Sequence, residues 1–554
     1  MKRNANSPVL YRAQRTSSFK VQTPAPSKGL NTIDNFAAMD ADYALNLTNF
    51  IASPQGCAPR KGYQKWATGF LEPVQTLFTY NGRTREDNRL FAVSGTGFYN
   101  ITTGGVIGAP AFTVVDNQSN RYQQAMQTSP AGVNYLFAVN GTRMPVFFNG
   151  TAWASTTAAA TPNAIGQFSA TDNNGNPINH SRFSDVILHQ QRLWFVQKDT
   201  SRAFYLPIGA AGGQLSAFEF GAYFPRGGSL HKLASWTIDS GGNSGVQSML
   251  VAISTKGDVV VYTGQDPAQA TEFRMIGQYQ LGAPVGQRCT SVYQGDLLYL
   301  SEDGLQPMSK YLQSARIDKT TALTYTISNT ISALNSTFRD LPGFEVCIVP
   351  SENVLLLNIP QGTTGQNFQF CFHTITQAWS QFTGWPAVCL NLFNETLYFG
   401  GDDHVGIGFI GYKDGASIMG MGGDNIIATC LTAFSALNDQ MPMGSIKSVQ
   451  LVKPFFVTGQ GDPKITVGVN TDFNLTPVQG SAGTSSVFGG FWDLSNWDDT
   501  RSTWNGTLVA YNEWSTPECY PGEYVSFSLS LSVTTDTVWS STSWLISAGG
   551  QFGV

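Results

Sequence analysis

Residues 90–100, LFAVSGTGFYN, and residues 136–150, LFAVNGTRMPVFFNG, share one pattern, in which a short apolar strand leads through a Gly-containing turn into a second strand. Seven copies of the leading strand occur along the chain, and they begin at Leu90, Leu136, Leu193, Leu250, Leu298, Leu355 and Leu397. Their starts are 46, 57, 57, 48, 57 and 42 residues apart, a length that suits a four-stranded propeller blade with variable loops. One such sheet cannot cover both of its apolar faces, so the copies have to pack on each other around an axis.

These repeats predict an all-β fold, an irregular seven-bladed β-propeller with an additional β domain. An ordinary β-sandwich, or several small β domains, is the alternative, because strands of this kind occur throughout all-β proteins. Trp153 and Trp379 each follow a strand, in FFNGTAWA and FCFHTITQAWSQF. We expect their large rings to pack between neighbouring blades.

Changes in composition divide the chain into four expected segments. They are an extended N-terminal arm (1–28), a segment that packs with the C-terminal domain (29–75), the propeller (76–415) and a C-terminal β domain (416–554). The arm is basic and contains prolines, which is typical either of an unstructured terminus or of an arm that docks on a neighbouring subunit. Polar and apolar residues alternate over 524–533, as expected of a half-buried strand in the C-terminal domain.

The surface composition favours an assembly protein. Charged residues make up 12% of the chain, about half of the usual ~25%. Uncharged polar groups cost little to bury against another subunit, although a secreted β protein would show the same composition. The net charge of −5 gives no basic field, so tight binding of nucleic acid by counterion release is not expected.

Cysteine usage and hydropathy point to synthesis in a reducing cytosol. The seven cysteines show no CxxC spacing, which argues against a disulfide framework and against a structural zinc site. The basic N-terminus is not followed by the apolar run of a secretory signal. No stretch approaches the roughly 18 apolar residues of a membrane span.

The sequence offers no catalytic centre. Its five histidines belong to no metalloprotease, nucleophile-elbow or triad signature, and they are His180, His189, His231, His373 and His404. The most metal-like cluster is Asp402, Asp403 and His404, but a turn between strands explains it better. The carboxylates that could form a glycosidase pair are Glu302 and Asp303, or Asp34, Asp40 and Asp42, and neither set is distinguished by its flanking sequence. We expect no enzyme activity, no cofactor and no metal.

A tryptophan-rich segment, FWDLSNWDDTRSTWNGT, supplies candidate anchors of an interface. Its rings are Trp492, Trp497 and Trp504. Tryptophan is enriched at the energetic centres of protein interfaces, so we interpret the three as anchors at a subunit or domain contact. Stacking on a sugar ring is the alternative role.

The early segment, residues 29–69, resembles the opening of a family of structural proteins from short-tailed bacteriophages (podoviruses). The shared elements are a G-L-N-T-x-D start at 29–34, an M-x-x-x-x-A-x-x-L-x-N-F centre at 39–50 and an R-K-G-Y-x-x-W-A-T-G finish at 60–69. The link ASPQGCAPR departs from the usual one, which is rich in Pro and Gly, without disturbing the flanking motifs. The likeness extends more loosely over the repeated strands and the tryptophan segment.

This resemblance implies a tail nozzle (tail tubular) subunit with a propeller body. Such subunits form a sixfold ring below the tail adaptor, surround the channel through which the genome leaves, and close it before ejection. The implied location is the virion, assembled in the host cytoplasm, with tail fibres as a further candidate partner and no catalytic residues to carry over. The genomic DNA would pass without tight binding through a lumen that we expect to be acidic or neutral.

Two other functions compete with this reading. The first is a receptor- or glycan-binding propeller at the tail tip, which would use the tryptophan segment or loops on one face of the propeller. The second is a hydrolase, which would need two carboxyl groups roughly 5–9.5 Å apart in a cleft.

Overall fold

The computed structural model describes most of the chain. Its described residues are 18–115, 119–159, 161–162, 164–171, 177–239, 246–269, 271–313, 319–362, 367–437, 441, 445–459, 463–476, 488–489, 502–503, 509–511 and 513–551. Every structural statement below concerns these residues.

Seven antiparallel sheets follow one another along the described chain and form the blades of a propeller. Blade one consists of Val74–Tyr80, Arg89–Ser94, Gly97–Asn100 and Phe112–Thr113. Blade two consists of Gln123–Thr128, Asn134–Val139, Val146–Phe148 and Trp153–Ser155. Blade three consists of Phe183–His189, Arg192–Gln197, Arg202–Tyr205 and Ser216–Glu219. Blade four consists of Leu230–Asp239, Val246–Ser254, Asp258–Thr263 and Arg274–Gln280.

The remaining blades are less regular. Blade five consists of Thr290–Tyr293, Asp296–Ser301 and Gly304–Pro307. Two helices follow it, α1 (Met308–Gln313) and α2 (Ser328–Phe338). Blade six consists of Glu345–Val349, Val354–Ile359, Phe368–His373 and Ala378–Phe382. Blade seven consists of Cys389–Phe393, Thr396–Gly400, His404–Gly408 and, from the early part of the chain, Tyr63–Thr68.

Several short elements lie outside the main strands of the blades. Thr157–Ala158, Gln167–Ser169 and Gly213–Gln214 form a small parallel sheet near blades two and three. Gly105–Val106 and Ala416–Ser417 pair in parallel with the outer strand of blade seven. Single 3-10 turns lie at Arg85–Asp87, His180–Arg182, Gly221–Tyr223, Lys319–Thr321, Tyr325–Ile327 and Pro350–Glu352. Two further pairs are Lys413–Asp414 with Asp424–Asn425, and Phe488–Gly489 with Ser502–Thr503.

The predicted repeats are confirmed as the second strands of the seven blades. The second strand of each blade pairs with a strand on each side, and the neighbouring blades cover its two faces. It is therefore buried all round, as in Leu136–Val139, where each side chain is 0% exposed. This is why the repeats read as continuous apolar runs rather than as alternating patterns.

A β-sandwich is attached to blade six. One of its sheets contains Ser18–Pro24, Phe50–Ser53, Gly56–Pro59, Ser445–Thr458, Val509–Tyr511 and Thr537–Gln551. The other contains Gly29–Leu30, Tyr43–Thr48, Ala428–Thr432, Lys464–Thr471 and Val525–Ser532, and it continues without a break into the strands of blade six. Apolar side chains of both sheets form one core, which includes Phe50, Phe527 and Trp539. The additional β domain is thus built from early and late parts of the chain, as predicted.

The expected segment limits differ from the strand pairings in two places. The segment 29–75 is shared between the two domains, because Tyr63–Thr68 pairs with His404–Gly408 in blade seven. The expected arm, 1–28, includes the strand Ser18–Pro24, which pairs over seven residues with Thr537–Gln551 of the same chain. Residues 1–17 lie outside the described part. Long-range pairing of this kind leaves no local signal in the sequence, which explains both differences.

Trp153 packs between two blades, as predicted, whereas the contact of Trp379 is with a segment between two helices. Trp153 of blade two contacts three rings of blade one, with centroids 5.4 Å from Phe78, 5.2 Å from Phe91 and 5.1 Å from Phe98. Trp379 of blade six donates a 2.7 Å hydrogen bond to the carbonyl of Leu323, in the segment between α1 and α2. Both rings therefore connect a blade to the structure beside it.

We predict that Trp153→Ala lowers the free energy of unfolding by about 3–5 kcal/mol, the usual cost of removing a large ring from a packed core. Urea unfolding followed by circular dichroism measures this. Tyr520→Ala is the matched control, because Tyr520 is 87% exposed and its loss should change the free energy by less than about 0.5 kcal/mol. Equal effects of the two substitutions would contradict the packing role of Trp153.

Candidate functional site

Charged side chains near the axis of the propeller tie distant blades together. Arg288 lies just before blade five, and its Nη1 donates to both carboxylate oxygens of Glu345 in blade six, at 2.9 and 3.1 Å. Its other terminal nitrogen donates to the Thr76 hydroxyl of blade one (3.3 Å) and to the Tyr122 carbonyl (3.1 Å) at the start of blade two. Glu345 also accepts a 2.9 Å bond from the amide of Leu390 in blade seven. One guanidinium thus reaches across the ring.

A second ion pair lies on the other side of the axis. Lys232 of blade four is 3.5 Å from Asp185 of blade three, whose side chain is 1% exposed. Asp185 also accepts a 3.2 Å bond from the amide of Leu233. The open space among the first strands of blades two to five is a cavity of about 310 Å³, room for on the order of ten waters at ~30 Å³ each.

The five histidines are buried in packed surroundings rather than gathered in a cleft. Burial lowers the pKa of His189 to about 4, and its Nδ1 lies 2.9 Å from the Ser235 hydroxyl. Burial also lowers the pKa values of the other four, His180, His231, His373 and His404. Burial therefore disfavours the charged form of each imidazole.

Most of the carboxylates considered as catalytic candidates are paired with a neighbouring cationic or amide side chain. Glu302 pairs with Arg339 at the end of α2. Asp40 and Asp42 both pair with Lys28, the latter at 3.7 Å. Asp34 accepts a 2.8 Å bond from Asn31. These groups do not converge on one point.

The cluster at Asp402, Asp403 and His404 belongs to the turn that leads into the third strand of blade seven. His404 Nδ1 lies 2.6 Å from the Asp403 carboxylate, and the ring stacks on Tyr63 with centroids 5.6 Å apart. Among the described residues, no three histidine, cysteine, aspartate or glutamate side chains come together as a metal site.

The segment that carries the family resemblance forms the junction between propeller and sandwich. Arg60 is 0% exposed and makes a bidentate pair with Asp414, at 2.8 and 2.5 Å. It also donates to Asn49 Oδ1 at 2.9 Å and to the Thr383 carbonyl that follows blade six. Burial raises the pKa of Asp414, although the Arg60 charge opposes that shift. One arginine therefore joins strands of both domains.

Other residues of the same motifs have equally specific structural roles. A Cβ on Gly62 would lie 1.9 Å from the Lys413 carbonyl oxygen, so only glycine allows this approach. Trp66 donates a 2.7 Å hydrogen bond to the Ile101 carbonyl and so connects blade seven to the strands of blade one. Arg60, Gly62 and Trp66 of the last motif thus have packing roles at the junction.

Beside this junction, a glycine-rich hairpin projects apolar side chains into solvent. Lys413–Asp414 pairs with Asp424–Asn425, and the connecting loop exposes Met419 by 81% and Met421 by 68%. Ile418 is 42% exposed, and Ile427, just after the hairpin, is 53% exposed. The Met-rich composition is visible in the sequence, but its exposure is not.

The predicted interface anchors Trp492, Trp497 and Trp504 lie outside the described residues. The described helices are all too short or too polar to cross a membrane. The axial ion pairs and the Arg60 junction were not anticipated, because a charged residue in a sequence does not reveal its distant partner.

We predict that Glu345→Ala destabilises the propeller by about 3–5 kcal/mol, because it leaves the Arg288 charge buried without its partner. Replacing both residues by leucine should recover much of that loss. Glu302→Ala removes the exposed pair with Arg339 and should cost about 0–1 kcal/mol. Urea denaturation of the four proteins tests this, and a double variant no more stable than Glu345→Ala would contradict it.

Stability should fall as the pH drops from about 6.5 to about 4. An unfolded histidine titrates near ~6.5, whereas buried His189 titrates at about 4, so the unfolded chain binds more protons in this window. We predict that the unfolding free energy of His189→Gln declines less steeply with acidification than that of the wild type. Above pH 7, the difference in unfolding free energy between the two proteins should not depend on pH. Urea titrations between pH 4.5 and 7.5 measure both slopes, and parallel curves would exclude the effect.

Comparison with known proteins gives only distant likenesses. No family model matches this sequence, and no curated protein matches it. Among solved structures, YCF48 bound to D1 peptide is 10% identical, with a TM-score of 0.34 over 63% of this chain and 97% of that one. Sqt1 of Saccharomyces cerevisiae is 10% identical, with a TM-score of 0.33 over 67% and 96% of the two chains. Such low scores carry no argument about function, and the propeller assignment rests on the strand pairings described above.

Proposed function

We propose that this chain is a structural subunit of a short-tailed phage tail nozzle. In this role several copies form a ring below the tail adaptor, surround the channel for genome ejection and close it until ejection. The protein is then a component of the virion, assembled in the host cytoplasm, and acts through shape and contacts rather than catalysis.

The observation that carries this proposal is the position of the family-like motifs. Residues 29–69 resemble the opening of tail nozzle proteins, and in this structure they run through the junction of sandwich and propeller. Arg60, Gly62 and Trp66 each make a contact that the junction requires. These three motif residues thus have structural roles at the junction, and their resemblance to the nozzle family is the support for the proposal.

The small space at the axis, about 310 Å³, limits how such a protein can surround DNA. Arg288 and Lys232, with their partners, occupy the centre of the propeller. A channel for a nucleic acid then has to lie between copies of the chain, which favours a ring of subunits over a single perforated disc. Rings of identical subunits need a head-to-tail contact that closes by rotation.

The charge of the chain fits a channel that releases its cargo. The net charge is −5, with 37 acidic and 32 basic residues. A wall without excess positive charge does not hold phosphates by counterion release. We expect the lumen of the assembled ring to be acidic or neutral.

We predict that the purified full-length chain forms a closed homo-oligomer, with six copies as the number that the family resemblance implies. Native mass spectrometry and negative-stain imaging, with and without the tail adaptor protein of the same virion, measure it. A persistent monomer that never joins a tail would contradict the proposal. A monomer retained on a glycan array would favour a receptor-binding propeller instead.

A further inference from the structure

The exposed hairpin at 413–425 is held rigidly at its base. Asp414, in its first strand, forms the buried ion pair with Arg60. Ala416 and Ser417 pair in parallel with Gln64 and Lys65 of blade seven. The loop is also closed on itself, because the amide of Ser417 donates to the Met421 carbonyl at 2.9 Å. The hairpin is thus a fixed projection of the domain junction.

Its outer surface is apolar, which is costly for an isolated chain. Ile418, Met419, Met421 and Ile427 expose between 42% and 81% of their surface within ten residues of sequence. Exposed apolar side chains that cluster in this way mark contact surfaces. Methionine is well suited to such contacts, since its flexible thioether packs favourably against aromatic rings.

The same chain has a recess where blades four, five and six meet, and part of its lining is apolar, like the outer surface of the hairpin. It has a volume of about 540 Å³, within the range of roughly 300–1,000 Å³ that binding clefts occupy. About half of its lining residues are aromatic or aliphatic, and these are Trp236, Tyr293, Leu298, Pro307, Leu323 and Phe372. The remaining lining residues are Gly295, the uncharged polar residues Gln294, Ser309, Thr374 and Gln377, and one carboxylate, Asp296, which accepts hydrogen bonds from the amide and the hydroxyl of Ser309. We call this recess the socket.

The hairpin and the socket lie at opposite ends of one strand, Ala378–Phe382. Gln377, in the socket, immediately precedes the strand. Thr383 and Gly384 immediately follow it, and they border the same cleft as Asp414 and Asp424 of the hairpin. A five-residue strand spans roughly 16 Å, so the hairpin and the socket lie about that far apart within one chain. A contact between them would therefore join different copies of the chain.

We infer that the hairpin of one copy inserts Met419 and Met421 into the socket of the next copy, and that this is a head-to-tail contact of the assembled ring. The inference rests on the proposed function for the ring, and it names the surface that builds the ring. A contact between two different surfaces of the same chain is heterologous, and such contacts generate rings when their rotation closes. The occupant of the socket is therefore a second copy of this chain.

The test uses three full-length variants. Met419→Asp with Met421→Asp should weaken self-association by at least about 100-fold, as the loss of central anchors does in other interfaces. Thr374→Trp fills the socket and should have the same effect. The control, Leu71→Asp with Ile208→Asp, adds the same charge at side chains that are 100% and 56% exposed, and it should assemble like the wild type. Sedimentation velocity measures all four proteins, and circular dichroism verifies their folding.

The decisive measurement is on a mixture of the hairpin variant, Met419→Asp with Met421→Asp, and the socket variant, Thr374→Trp. The hairpin variant keeps an intact socket and the socket variant keeps an intact hairpin, so an equimolar mixture should form a 1:1 dimer of twice 59.9 kDa and nothing larger. If the hairpin variant forms the same ring as the wild type, this inference is wrong while the proposed nozzle stands. If the wild type itself never associates, both fail.

Discussion

The whole architecture depends on one antiparallel pairing between distant parts of the chain, that of Tyr63–Thr68 with His404–Gly408. A ring of sheets is stable only when its last blade meets its first, and this strand completes blade seven and continues directly towards blade one. The buried Arg60–Asp414 pair secures the same place from the side of the sandwich. Ring closure and attachment of the second domain are consequently one event, located within a single short segment.

Much of this fold was accessible from the sequence. The seven apolar strands could be recognised because a strand buried on both faces needs an unbroken apolar run, as in Leu193–Val196. The limits of the domains were less accessible. The outer strand of blade seven and the strand Ser18–Pro24 each pair with residues hundreds of positions away, and nothing within either segment identifies its partner.

The candidate site was less predictable than the fold. Arg288 and Glu345 look like ordinary surface charges in the sequence, yet they meet at the axis because two blades bring them together. The Met-rich composition of residues 418–421 is evident, but only the fixed base of the hairpin makes those side chains project. Catalytic sequence signatures depend less on tertiary structure, because their residues lie close together in the sequence. The tryptophan anchors remain a prediction.

Closure by an early strand also has a consequence for synthesis. The ribosome delivers Tyr63–Thr68 long before His404–Gly408, and at roughly 5–20 residues per second the delay is on the order of tens of seconds. Throughout that time the nascent polypeptide carries a strand whose edge has no partner, a feature prone to aggregation. Completion of the ring is therefore a late step of biogenesis, and this edge stays unpaired until translation has passed residue 408.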